Sequence, residues 1–214
     1  MVSTGRKRRP GRPKNPVARE TLLALALGAF AERGYAGASM AEIAGSAGLR
    51  KASLFHHFSS KEALYLEVLA GIASGLATAL ADARLQGGDF GDRLDTLGTI
   101  ATHYFGGHPG AAQLLLRELL DGGPFSSGPG APAIQATLDS LAAFLQAGML
   151  QGEIPYQDPH HLALSIASLH LTYYAAPKVC EDLLEAEVFE ASMNEARLEA
   201  VLEQVRRLCG VAPA

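Results

Sequence analysis

The sequence predicts an all-α protein, in which an amino-terminal three-helix unit carrying a helix-turn-helix is followed by a larger helical body. Three observations lead there. Apolar residues recur at three- and four-residue spacing along most of the chain from Leu22 onward, and helix-opening signatures precede several of those runs. The third is a division of charge: residues 1–61 hold eleven Lys and Arg against three Glu, a balance of +8, and the rest holds seven basic against nineteen acidic side chains, −12. A basic head on an acidic body fits a polyanionic partner for the head alone. With 214 residues, the chain can bury a sizeable core.

Residues 1–14 carry Arg6, Lys7, Arg8, Arg9, Arg12 and Lys14 with almost no apolar side chains, and read as a disordered basic tail. Asn15-Pro16 suits the opening of a first helix, in which Leu22, Leu25, Ala26, Ala29 and Phe30 share one face and Gly34 is a left-handed stop. Ser39-Met-Ala-Glu42 is a capping box opening a helix of about two turns, with Ile43, Ala44 and Ala47 inward. Gly48 breaks that helix and Leu49 plugs the corner. Arg50 to Phe58 then resumes with Leu54 and Phe58 inward, giving the proportions of a helix-turn-helix. Ser59-Ser-Lys-Glu62 is a second capping box, opening a long helix to about Arg84 with Leu64, Val68, Ile72, Leu76 and Leu80 on one side.

The body continues from about Asp92 with Leu94, Leu97, Ile100 and Ala101, then Leu114, Leu115, Glu118 and Leu119. A loop of Gly, Pro and Ser spans Gly122 to Pro132. Ile134 to Leu150 is helical again, and Asp158-Pro159 opens a helix from His160 to Ala175 that is apolar nearly all round, which demands burial on every side. Asn194 to Cys209 is the last helix. Domains are expected at 1–14 (tail), 15–61 (DNA-binding unit) and 62–214 (helical ligand-binding and dimerisation body).

Several classes are disfavoured by what the sequence holds. It has no G-x-S-x-G elbow, G-x-x-x-x-G-K-[ST] loop or H-E-x-x-H, so no enzyme is expected, and neither a cofactor nor a metal. Asp158-Pro-His160-His161 reads as a polar helix cap. Cys180 and Cys209 form no C-x-x-C, which makes a reducing cytoplasm the default. No apolar run approaches the roughly 18 to 20 residues that span a bilayer, so no transmembrane helix is expected, and the basic-then-apolar start is interrupted by Arg12, Lys14, Arg19 and Glu20, unlike a secretory signal.

The stretch Arg33-Gly-Tyr-Ala-Gly-Ala-Ser-Met-Ala-Glu-Ile-Ala-Gly-Ser-Ala-Gly-Leu-Arg-Lys-Ala-Ser-Leu-Phe-His-His-Phe-Ser-Ser-Lys-Glu-Ala-Leu64 resembles the DNA-binding domain of the tetracycline-repressor (TetR) family, over about residues 17–70. The resemblance implies a homodimer on a palindromic double-stranded operator, with the last two long helices of each subunit packed into a four-helix interface, and a small-molecule effector. The recognition helix would enter the major groove through Arg50, Lys51, Ala52 and Ser53. Ser39, His57 and Lys61 would hold backbone phosphates. The family usually has Ser at position 50 and more often Tyr at position 55. Arg50 therefore exchanges a helix cap for a charge, and Phe55, expected to pack inward with Phe58, lacks the hydroxyl that would reach a phosphate.

The tail around Arg9 and Arg12 resembles hooks that enter A·T-rich minor grooves, and serves equally as a non-specific anchor; either role steepens salt dependence. In the body, His103, Tyr104, His108, Arg117, Phe144, His170, Tyr173 and Tyr174 are the candidate pocket residues, polar or aromatic side chains among apolar ones. Leu, Ala and aromatic residues dominate there, which favours a lipophilic effector. The expected function is thus a dimeric, sequence-specific transcriptional regulator, a repressor released by its effector. A non-specific architectural DNA-binding protein is the alternative, and it leaves the acidic body of about 150 residues without a purpose.

Overall fold

The computed structural model describes residues 17–83 and 87–212. Among them are ten α-helices and no strand. Helices α1 (Arg19–Gly37), α2 (Met40–Ser46) and α3 (Lys51–His57) pack with the start of α4 (Lys61–Ala83) as the amino-terminal unit. The body comprises the rest of α4, α5 (Phe90–Gly107), α6 (Ala111–Asp121), α7 (Ala131–Leu150), α8 (Pro159–Ala175), α9 (Pro177–Leu184) and α10 (Ala191–Cys209). In the body α8 lies against both α6 and α7, and α10 lies along α5.

Burial follows the apolar stripes. Leu22, Ala26, Phe30, Ile43, Ala44, Leu54, Phe58, Leu64, Tyr65 and Leu69 close one core, which runs on without a break into Phe105, Leu114, Phe125 and Tyr174 of the body. A second core joins Phe90 and Leu94 of α5 to Leu145 of α7, Ile166 of α8 and Val201 and Val205 of α10. Burying one such side chain contributes about 1.5–3 kcal/mol. The first core is therefore shared: α4 belongs to the amino-terminal unit by its first turns and to the body by its length.

The caps explain where helices begin, and some differ from expectation. Ser39 Oγ accepts from Glu42 N at 3.2 Å, half of the expected box; the Glu42 carboxylate instead meets Arg33 at 2.9 Å. At α4 the cap is Ser60 rather than Ser59, accepting from Ala63 N at 3.0 Å. A full capping box between Asp89 and Asp92 opens α5 three residues before Asp92. Asp158 accepts from both His160 N and His161 N, the polar cap anticipated for that pair, and these bonds hold its carboxyl below the usual range. The first helix starts at Arg19, and Asn15-Pro16, like the basic tail with Arg9 and Arg12, lies outside the described residues. Gly34 has φ 69° and ψ 174°, so it interrupts α1, and one further turn follows to Gly37.

Three further departures concern whole helices. Lys61–Ala81 of α4 is long and apolar enough to cross a membrane by length and composition, contrary to the sequence expectation. Lys61, Glu62 and Glu67 obscured that run, and its Leu64, Tyr65, Val68, Leu69 and Ile72 are buried in the first core. Helix α8 is not buried all round: Leu162, Ala163, Ile166, His170 and Tyr174 point inward, whereas Leu164 is 51% exposed beside exposed Ser165 and Ser168. Helix α9 was not foreseen at all. It buries none of its residues, and Val179, Leu183 and Leu184 are exposed.

Candidate nucleic-acid interface

The turn between α2 and α3 is fixed by backbone geometry. Gly48 takes φ 67°, a conformation that glycine adopts without a Cβ penalty, and Leu49 N donates to Ala44 O at 2.8 Å. Half-buried Leu49 then packs on the first core. This leaves α3 with Leu54 buried and Phe58 beyond its end in the core, while Lys51, Ala52, Phe55 and His56 face outward and Ser53 and His57 are half-buried. Arg50 stands at the N-cap with extended backbone and no side-chain cap bond, so its guanidinium is exposed at the start of the helix.

Phe55 corrects the expectation of an inward ring. It is 42% exposed, and the Lys51 ammonium lies 5.9 Å from its centroid. The spacing of Leu54 and Phe58 already fills the inward side of so short a helix, and position 55 falls about 100° away. His56, also exposed, lies off the same apolar stripe, so the periodicity carries no sign of it. Lys61 is turned inward rather than outward. Its ammonium donates to Tyr35 O at 2.7 Å, Ala38 O at 3.2 Å and Ala36 O at 3.4 Å, and lies 4.5 Å from the Tyr35 ring centroid. It thus gathers the carbonyl end of α1 immediately before Ser39.

Arg19 plays a comparable part at the other end of the unit. Its guanidinium meets both Glu67 oxygens at 2.7 and 2.6 Å, donates to His57 O at 2.8 Å and covers the Phe58 ring at 4.3 Å. The sequence showed Arg19 only as one more positive charge. In the fold it ties the starts of α1 and α4 to the end of the recognition helix.

The unit is joined to the body through buried polar and aromatic groups. Tyr65 of α4 stacks edge-on against Phe30 at 5.0 Å and tilts against Tyr35 at 4.8 Å. Its hydroxyl donates to Glu118 of α6 at 2.6 Å. That carboxylate, 1% exposed, also accepts from Phe125 N at 2.7 Å and Ser126 N at 2.9 Å. Burial, with the Glu118 carboxylate second, pushes the Tyr65 hydroxyl pKa up. The loop after α6 is therefore fastened through Glu118 and Tyr65 to the core beneath the helix-turn-helix.

The eight pocket candidates fall in several places. Arg117 lies against Gly34, where α6 meets α1. Tyr104 donates to Ile72 O at 2.9 Å and stacks on exposed His108, whose Nδ1 is 2.7 Å from Tyr104 O. His103 is exposed, 3.7 Å from Glu195. Phe144 stacks on Phe90 at 4.9 Å in the second core. His170, Tyr173 and Tyr174 come together on α8, with Thr102 of α5 and Asn194 and Arg197 of α10. The last three were missed, because nothing local in the sequence brings them to α8.

Comparisons with known proteins agree with this geometry. Residues 22–68 match the family described as bacterial regulatory proteins, tetR family. The chain is 28% identical over 219 aligned positions to the transcriptional regulator RutR of Escherichia coli K12, covering 100% of this chain and 97% of RutR. It is 46% identical over 61 residues to the repressor KstR2 of Mycolicibacterium smegmatis, 28% of this chain and 30% of that one. Among solved structures, AibR in complex with isovaleryl coenzyme A and operator DNA has the same fold, with TM-score 0.70 at 19% identity over 87% of this chain and 96% of AibR. Residues 22–68, from α1 to the start of α4, thus match the helix-turn-helix unit of bacterial regulatory proteins of the tetR family, and the whole chain is similar in sequence to the regulator RutR.

Proposed function

We propose that this regulator acts as a homodimer on a palindromic operator in the cytoplasm, as a repressor released by a small lipophilic effector. The observation that carries this reading is the outward row of Arg50, Lys51 and Ala52, with Ser53 beside it, at the first turn of a recognition helix whose opposite face is closed by Leu54. Arg50 and Lys51 donate to guanine O6 and N7, Ser53 serves either base, and the Ala52 methyl meets thymine. Ser39 and the start of α2 hold one phosphate and His57 another, while Lys61 positions the α1 end that presents Ser39 and adds charge. Phe55 lines the groove edge with its exposed ring. The basic tail, through Arg9 and Arg12, adds minor-groove or non-specific affinity.

Dimerisation is supported by the outer faces of α8 and α10. Leu164, Ser165 and Ser168 on α8 are exposed beside a shallow depression lined by Leu169, Gln204, Arg207 and Leu208. A second copy covering this surface sets two recognition helices on one side of the duplex, with half-sites about 34 Å or a multiple apart. The repressor KstR2 and the effector-bound AibR are relatives whose stated behaviour fits this reading. The effector releases DNA only by binding better to the geometry with misplaced recognition helices.

The test is selection from a random duplex pool at near-physiological salt, with wild type and with Lys51→Ala and Ser53→Ala. One enriched palindrome, changed or lost in the variants, is expected. Binding without enrichment would defeat the sequence-specific reading.

A further inference from the structure

The polar residues that meet where α5, α8 and α10 converge lie between the two apolar cores. Arg197 of α10 is half-buried there. One of its terminal nitrogens donates to Leu169 O at 2.6 Å, and its guanidinium lies 4.5 Å from the Tyr173 ring centroid. Its Nε is buried with no hydrogen-bond partner, alone in that respect among buried side-chain atoms of the described residues. Arg93, Arg206 and Arg207 of the same body each meet a carboxylate, at 3.2, 2.7 and 2.5 Å. Arg197 meets none among the described residues, although the body carries a balance of −12. An unsatisfied donor on a buried cation costs more than an ordinary lost hydrogen bond, and a structure keeps one where something else completes it.

His170 lies on the next turn inward, 4% exposed, with Nδ1 3.3 Å from the hydroxyl of fully buried Thr102. Burial, and next the charge of Arg197, lower its pKa to about 4, so its ring is neutral at physiological pH. A guanidinium, all donors and no acceptor, is the group that suits a carboxylate. Around Arg197 and His170 are the apolar and aromatic groups Leu169, Leu171, Phe105 and Tyr174, suited to a hydrocarbon remainder.

We propose that Arg197, backed by His170 and Thr102, receives the carboxylate of a small amphipathic acid and that this acid is the effector. The inference rests on the effector-responsive regulator proposed above, and narrows its lipophilic effector to one with an anionic end.

The test uses the full chain with acetate, butyrate and hexanoate, and with ethanol, butanol and hexanol as uncharged counterparts. The Arg197 Nε–H resonance, identified by its disappearance in Arg197→Lys, is expected to shift saturably with the acids, at lowest concentration for hexanoate, and not with the alcohols. By calorimetry, Arg197→Gln should weaken hexanoate at least roughly tenfold, the scale of one charge-assisted hydrogen bond. Arg197→Lys keeps the charge and should lose less. Hexanoate should weaken operator binding by wild type and leave that of Arg197→Gln unchanged.

The proposal fails if no acid shifts Arg197, or if the alcohols bind equally well. It also fails if the resonance shifts with protein concentration in anion-free buffer, which would assign the site to a carboxylate of a second copy. Hexanoate that shifts Arg197 without changing operator affinity overturns its role as effector. Failure of wild type to bind a specific operator without any acid strikes the regulator reading alone, because the Arg197 shift is read independently of DNA.

Discussion

At the scale of single residues, the most consequential group is a carboxylate that makes no ion pair among the described residues. Glu118 is held by the Tyr65 and Ser126 hydroxyls, at 2.6 and 3.4 Å, and by two backbone N–H groups, and losing a close one leaves a buried charge short of a donor. Tyr65→Phe removes one donor while keeping the ring against Phe30 and Tyr35. Unfolding free energy in urea should fall by about 1.5–3 kcal/mol with an unchanged m-value, the range for hydrogen bonds to charged groups. A loss under about 0.5 kcal/mol would show that the Glu118 carboxylate does not depend on the Tyr65 hydroxyl. The sequence placed Glu118 in the stripe of an amphipathic helix and left Tyr65 off the stripe of its own. Their partnership spans 53 positions and three helices, and no local period encodes such a pair.

At the scale of elements, the legible features were those whose physics is local. Ser39, Gly48 and Asp158 mark helix ends because each satisfies or redirects the backbone within three or four residues of itself. Ser59 was misread for Ser60 because two adjacent serines offer the same hydroxyl, and only the helix register decides between them. Helix α9 was missed because an eight-residue helix that buries nothing leaves no core stripe to read.

Helix α3 departs from a local rule. Its N-cap is Arg50, which caps nothing. Arg50→Ser should therefore stabilise the folded protein by about 0.5–1 kcal/mol, the usual contribution of a serine cap, in thermal or urea unfolding. The same change removes the guanidinium proposed to read guanine, so operator affinity should fall by about 1–3 kcal/mol and the preference for guanine at that base pair should relax. Greater stability with weaker binding is the signature expected. An unchanged base preference would mean that the Arg50 guanidinium reads no guanine, and an unchanged affinity that it contacts no DNA at all.

At the scale of the whole molecule, the question is what faces the outer side of α8. That helix has apolar residues nearly all round, yet one chain buries only part of it. The surplus is concentrated at Leu164, exposed among the short side chains of Ser165 and Ser168, which permit close approach of another helix. On α10 the adjoining surface carries Leu208 and Gln204. Leu164→Glu leaves the inward residues Leu162, Ala163 and Ile166 in place, so the far-ultraviolet spectrum and the unfolding of each chain should change little. In sedimentation, wild type is expected to run as a dimer and the variant, at the same concentration, as a monomer of 22.4 kDa. Because a single helix-turn-helix reads only one half-site, operator affinity should drop by orders of magnitude in the same variant, while binding of non-specific DNA falls much less. A variant that remains dimeric, or a monomer that still binds a palindrome as tightly as wild type, would place the symmetric contact elsewhere on the body. The exposed apolar residues of α9, Val179, Leu183 and Leu184, are then the next surface on which to seek it.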